Sequence, residues 1–419
     1  MRIVHVLTRL LRAGSEENTL LTCRAQAAAG AEVYVVHGRE FNPCHYESLN
    51  GQMRFLRVGS LVRAISPEGD CRAYFELLRL FRQLKPDVVH THQSKAGIIG
   101  RFAAYTAGVP VVIHGVHIVP FAASHWVRRA AYLAAERAAA AITDGFVDVC
   151  AGVRDLCLEA GVGRPEQHFV VHSGFDLGRF RAASPPEDWR AILRLGADEP
   201  RPPVLLLIAA FEPRKRHRQL LSILPGIVAR FPSVRLLLAG EGPLRSEVEA
   251  QAAALALERH VIFTGFRDDP ERLIALADIG LITSIREGLP RVLMQYLAGG
   301  KPCVACELPA LGEVLRHGVN GLIVRREDMT EMAAAIVELL QNPEKRSRLA
   351  QGARATDLSS WDASLMGART EAAYRMVFDR SVARSSEAEF DPGHAAIGSQ
   401  RTPLDDFSSV ARPCNKQMH

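Results

Sequence analysis

The sequence predicts an α/β protein with two doubly wound parallel sheets in series, and three observations lead to that class. Short apolar strands and helical segments alternate twice along the chain, a rhythm that gives parallel strands joined by crossover helices. A proline-rich passage with Pro185, Pro186, Pro200, Pro202 and Pro203 separates the two runs. At 419 residues the chain is also too long for one hydrophobic core.

The first alternation opens with a strand over Arg2–Leu7, a loop, and a helix from about Asn18 to Ala29 that Gly30 stops. Glu32–His37 is the next strand. Helical periodicity over Tyr74–Gln83 is broken by Pro86, and a short buried strand starts over Asp87–His90. Gly97–Ala107, Val109–Ile113, Val127–Ala140 and Phe169–His172 continue as helix, strand, helix and strand. These elements make a first domain over residues 1–183, followed by a linker over 184–203 that holds a helix-like segment at Trp189–Leu195. In the second domain, 204–360, strands fall at Val204–Ala209, Val234–Ala239, Val261–Thr264, Ile279–Thr283 and Pro302–Ala305. Helices between them fall at Arg218–Phe231, Pro243–Leu257 and Glu271–Leu276, with another opened by Pro290. No sequence repeat links the two halves. From about Arg384 periodicity is lost while Ser, Pro, Gly and acidic residues accumulate, so 383–419 is expected to be a disordered tail.

Composition narrows the function. A hydrophobic content of 48%, a charged content of 23% and a mean hydropathy near zero describe a globular chain. The most apolar segment, Ala130–Thr143, is short and interrupted by Glu136 and Arg137, so it reads as a packed helix and not a membrane span. The start, MRIVHVLTRL, lacks a small-residue cleavage pattern, so the expected location is the cytoplasm. A net charge of +5, without Lys/Arg runs interleaved with aromatics, argues against nucleic acid and fits anionic small molecules or an acidic membrane surface. Eight cysteines are scattered; Cys303 and Cys306 sit three apart on a strand, point to opposite faces, and read as buried thiols and not metal ligands.

Four stretches could carry chemistry. In EGLPRVLMQ, Glu287 and Gly288 form a turn, Pro290 suits the first helical position, and Gln295 lies almost two turns into the helix if it starts near Leu289. Free amides at that helix start attract phosphate, Gly288 permits close approach, and Glu287 with Gln295 suits hydroxyls of a sugar and a ribose. In AAFEPRKRH, a strand runs into Arg214, Lys215, Arg216 and His217; a solvated loop is the plain alternative, but the place after a strand favours a diphosphate clamp. In AGSEE, a lone Gly14 sits between the first strand and helix, without the fuller dinucleotide fingerprint. The histidines His90, His92, His114 and His117 follow strands without acidic ligands nearby, so hydrogen bonding is favoured over metal; Lys95 and Gly97 could open an anion-friendly helix.

Residues 1 to 380 resemble the retaining, nucleotide-sugar-dependent glycosyltransferases of the GT-B fold, specifically the large family four, or group 1. The family motif is a Glu followed by Gly-x-Pro and a second Glu eight positions after the first, here Glu287, Gly288, Pro290 and Gln295. VNGLIV at Val319–Val324, AGEGP at Ala239–Pro243 and HSGFDLGRF at His172–Phe180 are similar to family positions as well. The resemblance implies two Rossmann-like domains facing a central cleft, the first on the acceptor side and the second binding a nucleotide sugar. It also implies a helix over 361–382 that packs back on the first domain. On this reading Glu287 and His117 are the catalytic pair, His117 meeting the sugar or its leaving phosphate. Gly14, Arg214, Lys215, Gly288, Leu289 and Gln295 bind the donor, and His92, Lys95 and His114 line the acceptor side. The reaction would need no metal and no cofactor beyond the donor substrate, a UDP-sugar first and a GDP-sugar second. The stretch from Val88 to His117 looks like the surface-polysaccharide, capsule and O-antigen subgroup. That implies a glycan or polyprenyl-diphosphate-linked acceptor reached at the inner membrane, which Trp126, Arg128 and Arg129 could touch.

Three positions depart from the family pattern: Gln295 replaces a Glu, Ala210 stands where an Arg is common, and Ile118 replaces a Gly after the second histidine. Arg214 or Arg216 could supply the lost charge. Gln295 and Ala210 support a rival reading, a non-catalytic homologue that binds nucleotide or a partner glycosyltransferase as a scaffold; a nucleotide-sugar epimerase of the same fold is a third reading.

Overall fold

A computed structural model describes residues 1–12, 14–49, 51–119, 121 and 126–389, with side chains described as far as Arg380. Contacts divide the chain into a unit Met1–Ser381 and a C-terminal unit Val382–His419, of which residues 382–389 are helical. The rest of the expected tail lies outside the described residues.

The first unit holds two parallel sheets. One contains β1 (Arg2–Leu7), β2 (Glu32–His37), β3 (Arg54–Arg57), β4 (Val88–His92), β5 (Val111–Val116), β6 (Gly145–Asp148) and β7 (His168–Val170), in the order β3-β2-β1-β4-β5-β6-β7. The other contains β8 (Val204–Ile208), β9 (Arg235–Ala239), β10 (Val261–Gly265), β11 (Ile279–Ile282), β12 (Cys303–Cys306) and β13 (Gly321–Val324), ordered β10-β9-β8-β11-β12-β13. Strands such as β1 (RIVHVL) and β8 (VLLLI) are nearly continuous apolar runs because helices cover both faces of a parallel sheet. Cys303 and Cys306 show this directly: both are buried and free, and they belong to the apolar clusters on opposite faces of their sheet. Each order reverses once, between β1 and β4 and between β8 and β11, and beyond the carboxyl ends of such strand pairs α/β proteins bind ligands.

Strands β3, β6 and β13, of four residues each, escaped the sequence reading. The first helix, Gly14–Ala28, starts earlier than the predicted Asn18, with Glu16 and Glu17 in its first turn where the helix dipole favours acids. Proline marks the start of the helix at Pro67–Leu84, capped by the Ser66 side chain, whereas periodicity alone showed only its second half. The C-terminal helix, Ala363–Glu389, buries Met366, Tyr374 and Val377 against Ile3, Val88, Val111 and Ile113 of the first sheet.

The charge that interrupts the apolar segment at Glu136 has a partner. Arg101 is fully buried, and its guanidinium donates to Glu136 Oε2 at 2.5 Å and to the Gly97 carbonyl at 2.7 Å. This pair joins the helix Ser94–Ala107 to the helix Trp126–Ala140. No helix among the described residues is long and apolar enough to cross a membrane. Removing one member of a buried ion pair leaves the other uncompensated, so Glu136→Leu is expected to cost about 3–5 kcal/mol in chemical denaturation. The double variant Arg101→Met/Glu136→Leu should recover most of that loss; equal instability of single and double variants would count against the pair.

Candidate functional site

The loops after β8 and β11 meet at the switch point of the second sheet. A turn at Pro213–Lys215 follows β8, and the backbone of this loop is bound to the next by Ile285 N to the Arg214 carbonyl at 3.1 Å and by the Thr283 hydroxyl to the Lys215 carbonyl. Glycine permits the crowding. A Cβ on Gly240 would lie 2.2 Å from the Ala209 carbonyl oxygen, and one on Gly242 would lie 2.6 Å from Phe211 N. The AGEGP motif is therefore the floor under the basic loop.

This folding brings Glu287 to the cationic residues that lie far from it in sequence. Arg214 Nη1 stands 2.7 Å from Glu287 Oε2, and the Lys215 ammonium contacts Glu287 Oε1. Arg214 also donates to Glu212 at 2.9 Å, and Arg9 and Arg63 reach Glu212 from the first half of the chain at 4.0 and 3.8 Å. Four cations thus converge on two carboxylates and leave a surplus of positive charge. Burial pushes the Glu287 carboxyl up, but Lys215 and Arg214 outweigh it and hold the group below its ordinary value. Burial would lower the Arg214 guanidinium, but Glu287 and Glu212 outweigh it and hold the group above its ordinary value. Arg216 takes a left-handed conformation and turns its guanidinium to the Glu327 carbonyl at 3.3 Å, so Arg214 is the arginine at this site.

Glu287 also faces the other sheet. A Cβ on Gly288 would lie 2.4 Å from the His117 carbonyl oxygen, so glycine lets the loop after β11 sit against the loop after β5. The close approach that sequence reading assigned to a ligand is made by the protein's own backbone. Pro290, expected at the first helical position, is instead the residue before the helix, with an extended ψ of 117°. The helix runs Arg291–Ala298 without a side-chain cap; Leu293 N bonds to the Pro290 carbonyl, and the Arg291 and Val292 amides at its start are free of partners among the described residues. Gln295 is its fifth residue, partly buried, and makes no side-chain hydrogen bond among the described residues. Leu289 is buried in the core, so only its backbone is available to a ligand. Arg291 braces the junction, donating to Glu17 at 2.8 Å and to the carbonyls of Gly14 and Gly174 at 3.4 and 3.2 Å.

At the switch point of the first sheet the histidines gather. His92 Nδ1 lies 3.1 Å from His117 Nε2, and His92 Nε2 lies 3.0 Å from Nδ1 of His5, a β1 residue that spacing arguments did not single out. The strand pairing explains the meeting: His5 stands opposite His90, and His92 opposite Gly115, where a Cβ would come within 2.7 Å of His92 Nδ1. Ring nitrogens of His5, His90 and His92 lie within 4.8 Å of one another, a donor set that the H-x-H spacing alone did not show. A metal ion there would have to break the His5–His92 hydrogen bond. Burial holds His117 down at about 4, with Arg291 adding to the effect, and holds His5 at about 4 as well.

Two residues expected on the acceptor side lie elsewhere. His114 alternates away from the cleft along β5, with Nδ1 bonded to the Thr91 hydroxyl at 2.9 Å and the ring against Gly97. Lys95 bonds to Asp70 and to the Ala64 carbonyl and ties its helix to the Pro67–Leu84 helix. VNGLIV is likewise structural: the Asn320 amide binds Arg316 N at 2.7 Å and the Val314 carbonyl at 2.9 Å.

A carboxyl held below its ordinary value stabilises the fold above that value and stops doing so as pH falls through the folded one. Glu287→Gln should therefore lower stability by roughly 1.5–3 kcal/mol at pH 7. The gap from the wild type should close as pH drops below the ordinary 4.5. Melting curves from pH 7 to pH 3.5 test this, and a pH-independent gap would contradict it.

Residues 194–356 match the family described as glycosyl transferases group 1, and residues 13–174 match a glycosyl transferase 4-like domain. Glycosyltransferase EpsD of Bacillus subtilis is 31% identical over 296 residues, covering 67% of this chain and 76% of that protein. UDP-Gal:alpha-D-GlcNAc-diphosphoundecaprenol alpha-1,3-galactosyltransferase of Escherichia coli is 25% identical over 296 residues, covering 70% and 76%. Among solved structures, Anabaena HepE with UDP and glucose superposes with a TM-score of 0.73 at 20% identity, covering 90% of this chain and 99% of that one. Sucrose-phosphate synthase from Thermosynechococcus elongatus does so with 0.74 at 20% identity, covering 91% and 100%. Two doubly wound sheets, the match of both halves and the likeness to EpsD together make this chain a member of the group 1 glycosyltransferases, with the GT-B fold.

Proposed function

We propose that the protein transfers a hexose or N-acetylhexosamine from a nucleotide-diphosphate sugar to a glycan or lipid-linked saccharide, with retention of configuration, in the assembly of a cell-surface polysaccharide. The observation that carries this reading is the convergence of Arg214 and Lys215 on Glu287 beside the backbone of His117. A diphosphate leaving group gains negative charge as the glycosidic bond breaks, and preorganised cations stabilise charge that develops in the transition state. Arg214 and Lys215 take the diphosphate in this scheme, together with the free amides that open the Arg291–Ala298 helix. Glu287, released from part of its ion pairing, accepts hydrogen bonds from sugar hydroxyls. Gln295 reaches the ribose as a neutral donor and acceptor, while His117 stands on the sugar's other side.

Retention follows from attack on the face that the diphosphate leaves. Glu212 is the other carboxylate of the cluster, and it is taken up by Arg9, Arg63 and Arg214, so it is not placed as a second nucleophile or base. The cationic pair supplies the charge neutralisation that a metal ion supplies in other transferases. UDP is the first choice of base, in keeping with the UDP named for HepE and for the Escherichia coli relative. That relative's diphosphoundecaprenol acceptor also supports a polyprenyl-linked acceptor here. An acceptor of that kind is met at the cytoplasmic face of a membrane. The exposed Trp126 and Val127, with Arg128 and Arg129 beside them, are suited to touch such a surface.

A donor that binds the folded state stabilises it by mass action, by about 2.7 kcal/mol at a hundred times its dissociation constant, and so raises the melting temperature. One among UDP-, GDP- and ADP-sugars is expected to stabilise the wild type, and Lys215→Ala should weaken that response at least about tenfold, the worth of one charge-assisted hydrogen bond. If no donor acts at millimolar concentration, the scaffold reading replaces the catalytic one. Sedimentation with phosphatidylglycerol vesicles should fall for Arg128→Glu/Arg129→Glu; unchanged binding would remove this helix as the contact.

A further inference from the structure

Three imidazoles and an amide form one continuous hydrogen-bonded line into the cleft. Gln26 Oε1 lies 2.7 Å from His5 Nε2, His5 Nδ1 lies 3.0 Å from His92 Nε2, and His92 Nδ1 lies 3.1 Å from His117 Nε2. The His5 and His92 rings are nearly coplanar, at 11°, with centroids 5.3 Å apart, the geometry of an in-line N–H to N bond. Gln26, His5 and His92 are buried, whereas His117 is partly open. The other ring nitrogen of His117, Nδ1, has no hydrogen bond among the described residues.

We propose that Gln26, His5 and His92 are positioning residues that fix the His117 tautomer, with the proton on Nε2 and a lone pair on Nδ1 facing the bound sugar. Each link follows from the one before. A carbonyl oxygen only accepts, so His5 Nε2 carries a proton and donates to Gln26. A neutral imidazole has one proton, so His5 Nδ1 accepts from His92 Nε2. By the same rule His92 Nδ1 accepts from His117 Nε2, and His117 Nδ1 is left bare. All three rings stay neutral because burial disfavours the imidazolium, holding His5 and His117 at about 4 and His92 well below its ordinary range.

The direction of the line depends on which end of the Gln26 amide faces His5, and that end is Oε1, at 2.7 Å from His5 Nε2. The Tyr374 hydroxyl sits 2.5 Å from His90 Nδ1. Burial raises the Tyr374 phenol, and the neighbouring Gln26 amide partly offsets this. Gln26 Nε2 makes no hydrogen bond among the described residues.

The consequence for the reaction is a division of labour that rests on the transfer reading above. A bare Nδ1 accepts a hydrogen bond from a sugar hydroxyl and has no proton to give to a phosphate oxygen. The leaving diphosphate then depends on Arg214 and Lys215 alone among the charged side chains described for the clamp.

Long-range proton–nitrogen NMR on the full chain, with histidine labelled in both ring nitrogens, reads each tautomer without donor or activity. His5, His92 and His117 are expected to show protonated Nε2 and pyridine-like Nδ1 at pH 7. A protonated Nδ1 on His117, or an averaged signal, would overturn the proposal. Gln26→Met should convert His117 to a mixed tautomer and lower kcat roughly tenfold to a hundredfold, as loss of an orienting partner does, with donor KM little changed. Gln26→Glu keeps an acceptor, should restore the wild-type His117 signal, and serves if the methionine variant does not fold. A restored signal in Gln26→Met itself would also refute the relay. Because the tautomer is read in the ligand-free protein, failure of donor binding with an intact His117 signal would fault the transfer reading and not the relay.

Discussion

The site depends on holding Glu287 next to two cations while keeping all three largely out of water. Desolvated charges are tolerable only with partners at contact distance, and here Arg214 and Lys215 supply them across two adjacent loops. That requirement fixes the rest. The loops must leave neighbouring strands at a reversal of strand order, glycines at 240 and 242 must let the basic loop settle, and Gly288 must admit the His117 carbonyl. Glu287 is the counter-ion of Arg214 and Lys215; on the proposed function a diphosphate would take over that role.

The two switch points have opposite electrical character. At the second, charged groups converge and the surplus is positive. At the first, four histidines and a glutamine lie in an interior that keeps imidazoles neutral, so that end works through hydrogen-bond direction and not through charge. On the proposed function, a neutral relay opposite a cationic clamp would give the cleft one side suited to hydroxyls and another suited to phosphate. Arg291 and the contacts of Arg9 and Arg63 to Glu212 tie the two halves together at the same place.

Motifs that looked alike in the sequence divide into those that bind and those that build. Gly240 and Gly242 of AGEGP and Asn320 of VNGLIV support backbone, and Asp176 of HSGFDLGRF caps a short helix by accepting from Arg179 N at 2.9 Å. Lys95 and His114 look equally polar and equally well placed after strands, yet one is spent on Asp70 and the other points to the far face of the sheet. Strand alternation separates His114 from His92, a distinction available from sequence once the strand frame is known and lost when the frame is uncertain by one residue.

The sequence by itself determined the class of fold, because the periods of buried helix and strand are written into the order of apolar residues. Polar groups following apolar strands fall at the carboxyl edge of a parallel sheet, which marked the stretches that hold Glu287, Lys215 and His117; the family resemblance picked out those residues within them. Tertiary structure alone decided that Glu287 pairs with Arg214 and not Arg216, that Gly288 is reserved for a carbonyl, and that His5 and Gln26 stand behind His92. Those facts join residues from different strands and helices, and the distance between such residues is set by the packing of whole sheets, for which no local pattern in the chain carries a signal.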